Sequence, residues 1–316
     1  MSTNTKPDNP ETQSTDTASE TDDNDSPAVE AEPGSESESE AEQNAEPETA
    51  ADEDADETVD GQPVSGPPQQ FQVAIKSTPI KEFVGTLRAI VDEAKFHIGP
   101  DGIQARAVDP ANVAMDDIEL CAAGFESYEA TDGVLGLNLE RLEEVLKLAG
   151  KDDLVQMAFD TTAVKLVIHI DGVEFTMACI DPDSIRQEPD IPEMELPISF
   201  TIEEGQLKRG IKAADMVSDH ISIRCDEADQ SAHIIASGDT DNVDLELTED
   251  DLIELTAVDG EAMFSLDYVK DIARKIPNNA EVSLTFGSDF PVKIRYEFAD
   301  GEGQVLSMIA PRIRND

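Results

Sequence analysis

The chain has 316 residues and a formal net charge of −49, from 71 acidic and 22 basic side chains. No stretch approaches the ~18 apolar residues of a membrane-spanning helix, so the sequence excludes a bilayer span and predicts a cytoplasmic protein. The three cysteines lie far apart without a Cys-x-x-Cys pair, which predicts buried, reduced thiols at Cys121, Cys179 and Cys225.

The first 70 residues differ in composition from the rest. They hold 21 acidic residues, a single basic residue, Lys6, and no aromatic residue. Such a segment buries too little apolar surface to offset the entropy lost on ordering, so residues 1–70 are predicted to be a disordered acidic extension. The segment also lacks the basic and apolar regions of a signal peptide.

Residues 71–316 show regular apolar periodicity and carry 50 acidic and 21 basic residues, a net charge of −29. Lysine is scarce in them and tryptophan is absent. At molar salt the Debye length falls to ~3 Å, and such self-repulsion becomes tolerable. We therefore expect a protein adapted to molar intracellular salt, with an ordinary acidic protein as the alternative.

The folded region opens with an alternating strand, Phe71–Ile75, and a helical pattern from Pro79. A second helix with a strand-like start runs from Leu137 to Lys147, and Asn138 is expected to cap it. The strands that follow the two helices are Lys95–Ile98, Ile103–Val108, Ala114–Cys121, Leu154–Phe159, Ala163–Ile170 and Val173–Cys179.

The same order returns in the second half, which predicts a duplication within a duplication. A strand at Ile198–Ile202 precedes a helix at Gly205–Val217, and another helix runs from Phe264 to Arg274 with Ser265 as the expected cap. The strands that follow these helices are Ser222–Cys225, Ala232–Ser237, Asn242–Leu247, Glu281–Phe286, Val292–Phe298 and Gln304–Ile309. We thus expect an α+β fold of four helices and roughly sixteen strands.

A proline-rich segment separates the two halves. Prolines at 182, 189, 192 and 197 exclude a helix or a central strand there. The predicted organisation is a first domain at 71–180, a connecting loop at 181–196 and a second domain at 197–316.

Positive charge is concentrated in the four helical windows, residues 79–95, 139–151, 203–217 and 265–275. They hold 12 basic and 11 acidic residues, whereas the rest of the folded region holds 9 basic and 39 acidic ones. Contact with nucleic-acid phosphates is the simplest reason to keep cations in so acidic a chain. The absence of interleaved aromatic residues and of a recognition helix argues against single-strand stacking and sequence-specific readout. The cations predicted to face DNA are Lys81, Arg88, Arg141, Lys147, Lys208, Arg209, Lys212, Lys270, Arg274 and Lys275.

No catalytic pattern appears. The four histidines form no His-x-x-x-His pair, and phosphate-binding loops, nucleophile elbows and EF-hand spacings are missing. The adjacent acids Asp116-Asp117 and Glu203-Glu204 are expected to be solvated surface. We predict no enzymatic activity, metal or cofactor.

Four separated segments form a recognisable set. They are GIQARAVDPANVAM from Gly102 to Met115, the proline-rich segment, DFPVKIRYEFAD at residues 289–300, and Ala310-Pro-Arg-Ile313. In this order they resemble the strand–loop signature, the interdomain connecting loop, a late strand and the C-terminal motif of the proliferating cell nuclear antigen family of DNA sliding clamps.

The resemblance implies two similar domains, each of two βαβββ units, with strands outside and helices lining the hole of a trimeric ring around duplex DNA. It implies three kinds of partner: a second and third copy of the chain, a clamp loader (replication factor C), and clients such as DNA polymerase, ligase and flap endonuclease, bound through PIP-box-like peptides. Carried over by position, the client pocket comprises Val108, Val113, Ile191, Pro192, Pro291, Ala310 and Pro311. Pro189 departs from the pattern, since a larger apolar residue is frequent there.

Two other functions remain open alternatives. The acidic extension would suit a chaperone-like or histone-mimicking interaction protein. The many carboxylates would allow an unrecognised carboxylate-dependent hydrolase.

Overall fold

The computed structural model describes residues 66–312. The predicted acidic extension lies outside the described residues except for its last five, and Ile313 of the C-terminal motif lies outside them as well. The backbone N–H groups of Gln69 and Gln70 donate to Thr131 Oγ1 at 2.9 and 3.1 Å, which ties these residues to the folded region.

The described region contains the four predicted α-helices and eighteen strands. The helices are α1 (Ser77–Arg88), α2 (Leu139–Leu146), α3 (Glu204–Ala214) and α4 (Leu266–Ala273). The strands of the first half are β1 (Phe71–Lys76), β2 (Glu93–Gly99), β3 (Gly102–Val108), β4 (Ala114–Cys121), β5 (Ser127–Ala130), β6 (Gly133–Asn138), β7 (Leu154–Asp160), β8 (Lys165–Ile170) and β9 (Val173–Ala178). Those of the second half are β10 (Ile198–Glu203), β11 (His220–Asp226), β12 (Ser231–Ser237), β13 (Asn242–Leu247), β14 (Leu252–Thr256), β15 (Gly260–Ser265), β16 (Glu281–Phe286), β17 (Val292–Phe298) and β18 (Gly303–Ile309).

The strands form three antiparallel sheets. The first-half sheet has the order β5-β1-β7-β8-β9, and the second-half sheet has the order β13-β12-β11-β15. The shared sheet has nine strands in the order β14-β10-β16-β17-β18-β4-β3-β2-β6. The pairing of β18 with β4 therefore joins the two halves of the chain, with Val305 opposite Ile118 and Ser307 opposite Asp116.

The helices form because their apolar residues recur on one face. In α1, Ile80, Phe83, Val84 and Leu87 are all fully buried, and the helix packs on β1 and β4. The helices also pair, α1 against α2 and α3 against α4, and α4 packs on β18. The two helices nearest the joint, α1 and α4, thus cover the two strands that form it.

The shared sheet has two distinct faces at this joint. Thr86 of α1 contacts Tyr296 of β17 through their hydroxyl groups at 3.2 Å, so Tyr296 and the buried residues that alternate with it form the helix face. Arg106, which points the other way from Ala105 and Ala107, lies within 3.4 Å of the Pro189 carbonyl oxygen in the connecting loop. The connecting loop therefore lies on the opposite, outer face of the sheet.

The sequence prediction was wrong about several boundaries. Helix α1 begins at Ser77, where the Ser77 hydroxyl donates to the Gly150 carbonyl, and it ends at Arg88 rather than continuing to residue 95. Lys95, the last residue of the helical window, lies on β2 as the predicted strand Lys95–Ile98 had it, because Ala94, Phe96 and Ile98 alternate into the core. The edge strands β5 and β14 were not predicted, since both are short and largely exposed.

Three side-chain predictions can be compared directly with the structure. Asn138 Oδ1 accepts the Arg141 N–H at 2.7 Å and caps α2 as predicted, whereas Ser265 makes no side-chain cap to α4. All three cysteines are free; Cys225 is buried as predicted, but Cys121 and Cys179 are only half-buried. Burial raises the pKa of the Cys225 thiol to about 12, which keeps it an inert packing group.

No helix between residues 66 and 312 is both long and apolar enough to cross a membrane.

Candidate functional site

Most of the predicted DNA-facing cations already have an acidic partner. Six of the ten form ion pairs, largely within one turn of their own helix. These pairs are Arg88–Asp92, Arg141–Glu144, Lys147–Glu143, Lys208–Glu204, Lys270–Asp215 and Arg274–Asp271. Most of the side chains are well exposed, so the pairs contribute little to stability, but they bring the helix surface close to neutral.

Lys81 and Lys208 are anchored to neighbouring helices. Lys81 Nζ donates to the Ala149 carbonyl at 2.6 Å, and Lys208 Nζ donates to the Ile276 carbonyl at 2.9 Å. The two contacts occupy equivalent places in the two halves, just beyond the C-terminal ends of α2 and α4. Cations at such positions satisfy free carbonyl groups and complement the helix dipole, so both lysines have a structural role as well as a positive charge.

Arg209 and Lys212 of α3 are the more available cations. Both are exposed; Arg209 contacts Gln206 at 3.4 Å, and the side chain of Lys212 has no hydrogen bond or ion pair with any residue between 66 and 312. A cleft of about 300 Å³ among α1, α2 and α4 brings four other predicted cations together. They are Lys81, Lys147, Arg274 and Lys275, which come from both halves of the chain.

Five of the predicted client-pocket residues lie together at the ends of four central strands of the shared sheet. Val113 precedes β4 and Ala310 follows β18, and the Ala310 N–H donates to the Val113 carbonyl at 2.8 Å. Pro291 precedes β17, whose first residue is paired with Ile309. Val108 ends β3, and Pro311 follows Ala310, so strand register alone brings these five residues to the same end of the four strands.

Two methionines that the sequence analysis missed belong to this surface. On the outer face, a cross-strand row runs from Val108 to Met115, then to Met308 and on to Lys293. Met115 and Met308 are buried, and unbranched methionines suit a surface that must adapt to varied apolar partners.

The connecting loop is fixed over this face by polar contacts. Glu188 lies 2.8 Å from His97 Nε2, and Arg186 donates to the Asp109 carbonyl and to Asn112 Oδ1 at 2.9 and 2.6 Å. Together with the Arg106 contact to Pro189, these bonds hold the first part of the loop against β2, β3 and the turn after β3. Ile191 and Pro192 follow directly; Ile191 is half-buried and Pro192 is exposed.

Asp109 organises the turn between β3 and β4. Its carboxylate accepts N–H groups from Ala111, Val113 and Ala114 and the hydroxyl of Tyr268 in α4, at 2.6 to 2.8 Å. Burial is the largest single influence and raises the pKa of Asp109, but the hydrogen bonds together outweigh it and the pKa is lowered. An ionised Asp109 therefore shapes the turn that carries Val113 and ties it to the second half.

The predicted solvated acids are partly buried, so that expectation was wrong. Asp116 is fully buried, with one oxygen accepting from Ser307 Oγ at 2.5 Å and Oδ2 without a partner among the described residues. Burial raises its pKa to about 7, because the charged form loses its hydration. Glu204 is also buried, as the carboxylate partner of Lys208. The sequence did not reveal the burial of these two acids because acidic residues are abundant throughout the chain.

The structure also contains a cavity of about 420 Å³ beneath the start of the connecting loop. It is lined by the turn after α1, by β2 and β3, and by Ile185–Glu188 of the loop, and it shares only Val108 with the predicted client pocket.

In residues 66–312, no group of three or more His, Cys, Asp or Glu side chains is arranged to hold a metal.

Comparison with known proteins accounts for this architecture. The domain profile described as proliferating cell nuclear antigen, N-terminal domain, matches residues 72–184. Curated proteins named DNA polymerase sliding clamp from Haloarcula marismortui and Halobacterium salinarum are each 47% identical over 246 residues, which is 78% of this chain and 100% of each relative. The chain belongs to the proliferating cell nuclear antigen family.

Solved structures of the family share the fold. A structure of the C-terminal region of FEN-1 bound to A. fulgidus PCNA matches with a TM-score of 0.74 and 32% identity, covering 78% of this chain and 100% of that one. PCNA from Thermococcus kodakaraensis matches with a TM-score of 0.71 and 28% identity, covering 77% and 100%. The predicted clamp fold is thus confirmed, and the similar relatives from halophilic archaea agree with the predicted adaptation to salt.

Proposed function

We propose that this chain is the subunit of a homotrimeric DNA sliding clamp. Its two clamp domains are residues 71–180 and 197–316, joined by the connecting loop at 181–196. In the ring, the sheets lie outside and the four helices of each subunit face duplex DNA. The protein acts in the cytoplasm at the nucleoid, as a non-enzymatic processivity factor without a metal or cofactor.

The observation that carries this proposal is that the β18–β4 pairing inside the chain has a counterpart in two unpaired edge strands, β9 and β13. Within the chain, a five-stranded block ending in β18 pairs with a four-stranded block beginning at β4. The first-half sheet is also five-stranded and ends in β9, and the second-half sheet is four-stranded and begins at β13. Pairing β9 of one chain with β13 of the next would repeat the internal joint and leave neither edge open.

The internal joint also predicts the register of the open one. Ser307 pairs with Asp116, and the equivalent residues by strand order are Phe175 in β9 and Val243 in β13. Both side chains are half-buried apolar groups packed against the core, so they suit a shared interface. The neighbouring pair places Glu174 opposite Asp244, which supports a ring that needs salt.

DNA retention follows from closure of the ring. Counterion release offers little driving force in molar salt, and phosphate contacts weaken steeply there. A closed ring stays on duplex DNA without strong contacts and raises the local concentration of every enzyme bound to it. The cations of the helices, with Arg209 and Lys212 foremost, would guide the duplex through the hole.

Clients would bind at the outer face under the connecting loop, in the pocket of Val108, Val113, Ile191, Pro192, Pro291, Ala310 and Pro311, widened by Met115 and Met308. The solved complex of FEN-1 with a related PCNA supports flap endonuclease as one client. DNA polymerase and ligase would bind the same pocket through PIP-box-like peptides, and the clamp loader replication factor C would open and close the ring. A PCNA2–PCNA3 complex from Sulfolobus tokodaii, 26% identical, supports assembly between such chains.

The test is retention on circular DNA. After loading in high salt, the protein should stay on a nicked circle and leave once the circle is cut to a linear form. Equal loss from both forms would refute topological retention, and a monomer at every salt concentration would refute the ring. An acidic chaperone-like protein would show neither DNA retention nor a trimer.

A further inference from the structure

Two neighbouring cations lie on the outer face of β17, away from the helices. Lys293 and Arg295 alternate with Ile294 and Tyr296, which face the helices. The side chain of neither residue forms a hydrogen bond or ion pair with any residue between 66 and 312. In a chain with so large an excess of acid, two adjacent cations without counter-charges are conspicuous.

Lys293 is only 8% exposed, yet its ammonium reaches the surface. Lys293 Nζ has no partner in the described region, yet it is not among the fully buried atoms without a partner, which belong to Arg88, Asp116 and Arg224. The ammonium therefore keeps some contact with solvent. Its stem continues the apolar row of Met115 and Met308. A partly dehydrated ammonium without a counter-charge gains more from an incoming carboxylate than an exposed one does.

The pair of cations occurs in only one of the two halves. By strand order, the equivalents of Lys293 and Arg295 on β8 are Val167 and His169. The first half therefore lacks this strip, although it has the same sheet. The half that carries the strip also supplies Pro291 and Ala310 of the proposed client pocket, and Pro291 lies two residues before Lys293 on the same side of the strand.

We propose that Lys293 and Arg295, the cation strip, bind two carboxylates of an extended client peptide that runs along β17 beside its apolar anchor. Positions two apart on a strand are ~6.8 Å apart, so the matching acids lie two residues apart in the client. A shallow depression of about 480 Å³ next to Arg295, lined in part by Thr201, Ser283 and Gln304, gives the peptide room. This inference rests on the proposed client pocket.

The acids around the strip limit its length. Glu297 follows Arg295 on the same face, and Glu281 lines the same depression. A longer acidic segment would meet these carboxylates, so recognition is restricted to two acids at the spacing of the strip.

The experiment compares two synthetic peptides with the same apolar anchor, one with an Asp-x-Asp flank and one with Asn-x-Asn. Calorimetry uses the full chain in the lowest salt that keeps it trimeric. We expect the acidic peptide to bind about tenfold more tightly than the neutral one, as is typical for a close, partly desolvated charge pair. The double variant Lys293→Met, Arg295→Gln should abolish this preference without changing the affinity for the neutral peptide.

Lys165→Gln is the matched control, because it removes one cation from the corresponding sheet of the first half and should leave the preference intact. Equal affinities of the two peptides for the unmodified chain would overturn the proposal. If the neutral peptide still binds and Pro311→Ala weakens it, only the strip is refuted; if neither peptide binds, the client pocket fails too. A preference that appears only after deletion of residues 1–65 would make the chain's own acidic segment the occupant and would overturn the proposal.

Discussion

Replacing Asp244 with Asn should let the proposed ring persist in less salt. In the β9–β13 register derived above, Asp244 of one chain lies opposite Glu174 of the next. Directly opposed side chains on antiparallel strands have Cβ atoms ~5 Å apart, and two like charges at that distance repel by about 1 kcal/mol in water. Three interfaces in a ring then cost about 3 kcal/mol, equivalent to roughly a hundredfold in the trimer equilibrium constant.

Salt should remove this difference. At 1 M ionic strength the Debye length is ~3 Å, which reduces the repulsion across ~5 Å to about a fifth. Sedimentation velocity across a KCl series should therefore show the midpoint of trimer dissociation at lower salt for Asp244→Asn, with the curves merging near molar KCl. Glu174→Gln should act in the same way, and the double variant should add little to either single change.

The control is Asp229→Asn, which removes an equal charge from an exposed turn away from both edges. An equal shift in this control would mean that total charge, rather than the opposed pair, sets the salt requirement. No shift in either edge variant, with a trimer still present, would refute the proposed register.

Other expected outcomes concern a buried acid, the helix cations and the client pocket. Asp116→Asn should raise the free energy of unfolding at pH 8. Because the pKa of Asp116 is about 7 in the folded chain against an ordinary 3.8, the native chain loses up to about 4 kcal/mol of stability as the pH rises between these values. Denaturation curves should therefore depend less on pH in the variant. Arg209→Glu with Lys212→Glu should reduce loader-dependent processive synthesis at unchanged trimer mass. Lys208→Met should destabilise the fold by more than the ~1 kcal/mol of the lost bond to Ile276, because it also leaves the buried carboxylate of Glu204 without its partner. Ile191→Ala and Pro311→Ala should each weaken a client peptide by roughly 1–3 kcal/mol in calorimetry, as expected for central apolar anchors.

The elements that the sequence predicted well are those with a strong period. Alternation in β1 and β10 and the apolar stripes of α1 and α3 each reflect burial on one face, so they are visible without knowledge of the partner element. The edge strands β5 and β14 lack that signal because no second layer buries either face fully. Their existence depends on pairing with β1 and β10, which only the assembled sheet reveals.

Most residues of the proposed client pocket lie together in the structure, but the sequence did not suggest every side chain on that surface. Its residues at the strand ends follow from resemblance, and strand register brings Val113, Pro291 and Ala310 together. Met115 and Met308 were missed because each looks like ordinary core in a single strand. Their common row appears only when β4 is seen to pair with β18, residues far apart in the chain.

The four helices keep more cations than the rest of the folded region, but most of these cations have an acidic partner in the structure. Retained cations suggested a positive face for DNA, yet six of the ten form ion pairs and Lys81 holds a carbonyl group of the neighbouring helix. A nearly neutral surface releases few counterions on binding DNA, and in molar salt even those contribute little free energy. Attraction would therefore contribute little to holding the proposed ring on a duplex. Near-neutral helices would limit the repulsion that the other acids exert on phosphates, and closure of the proposed ring would then be enough to retain it.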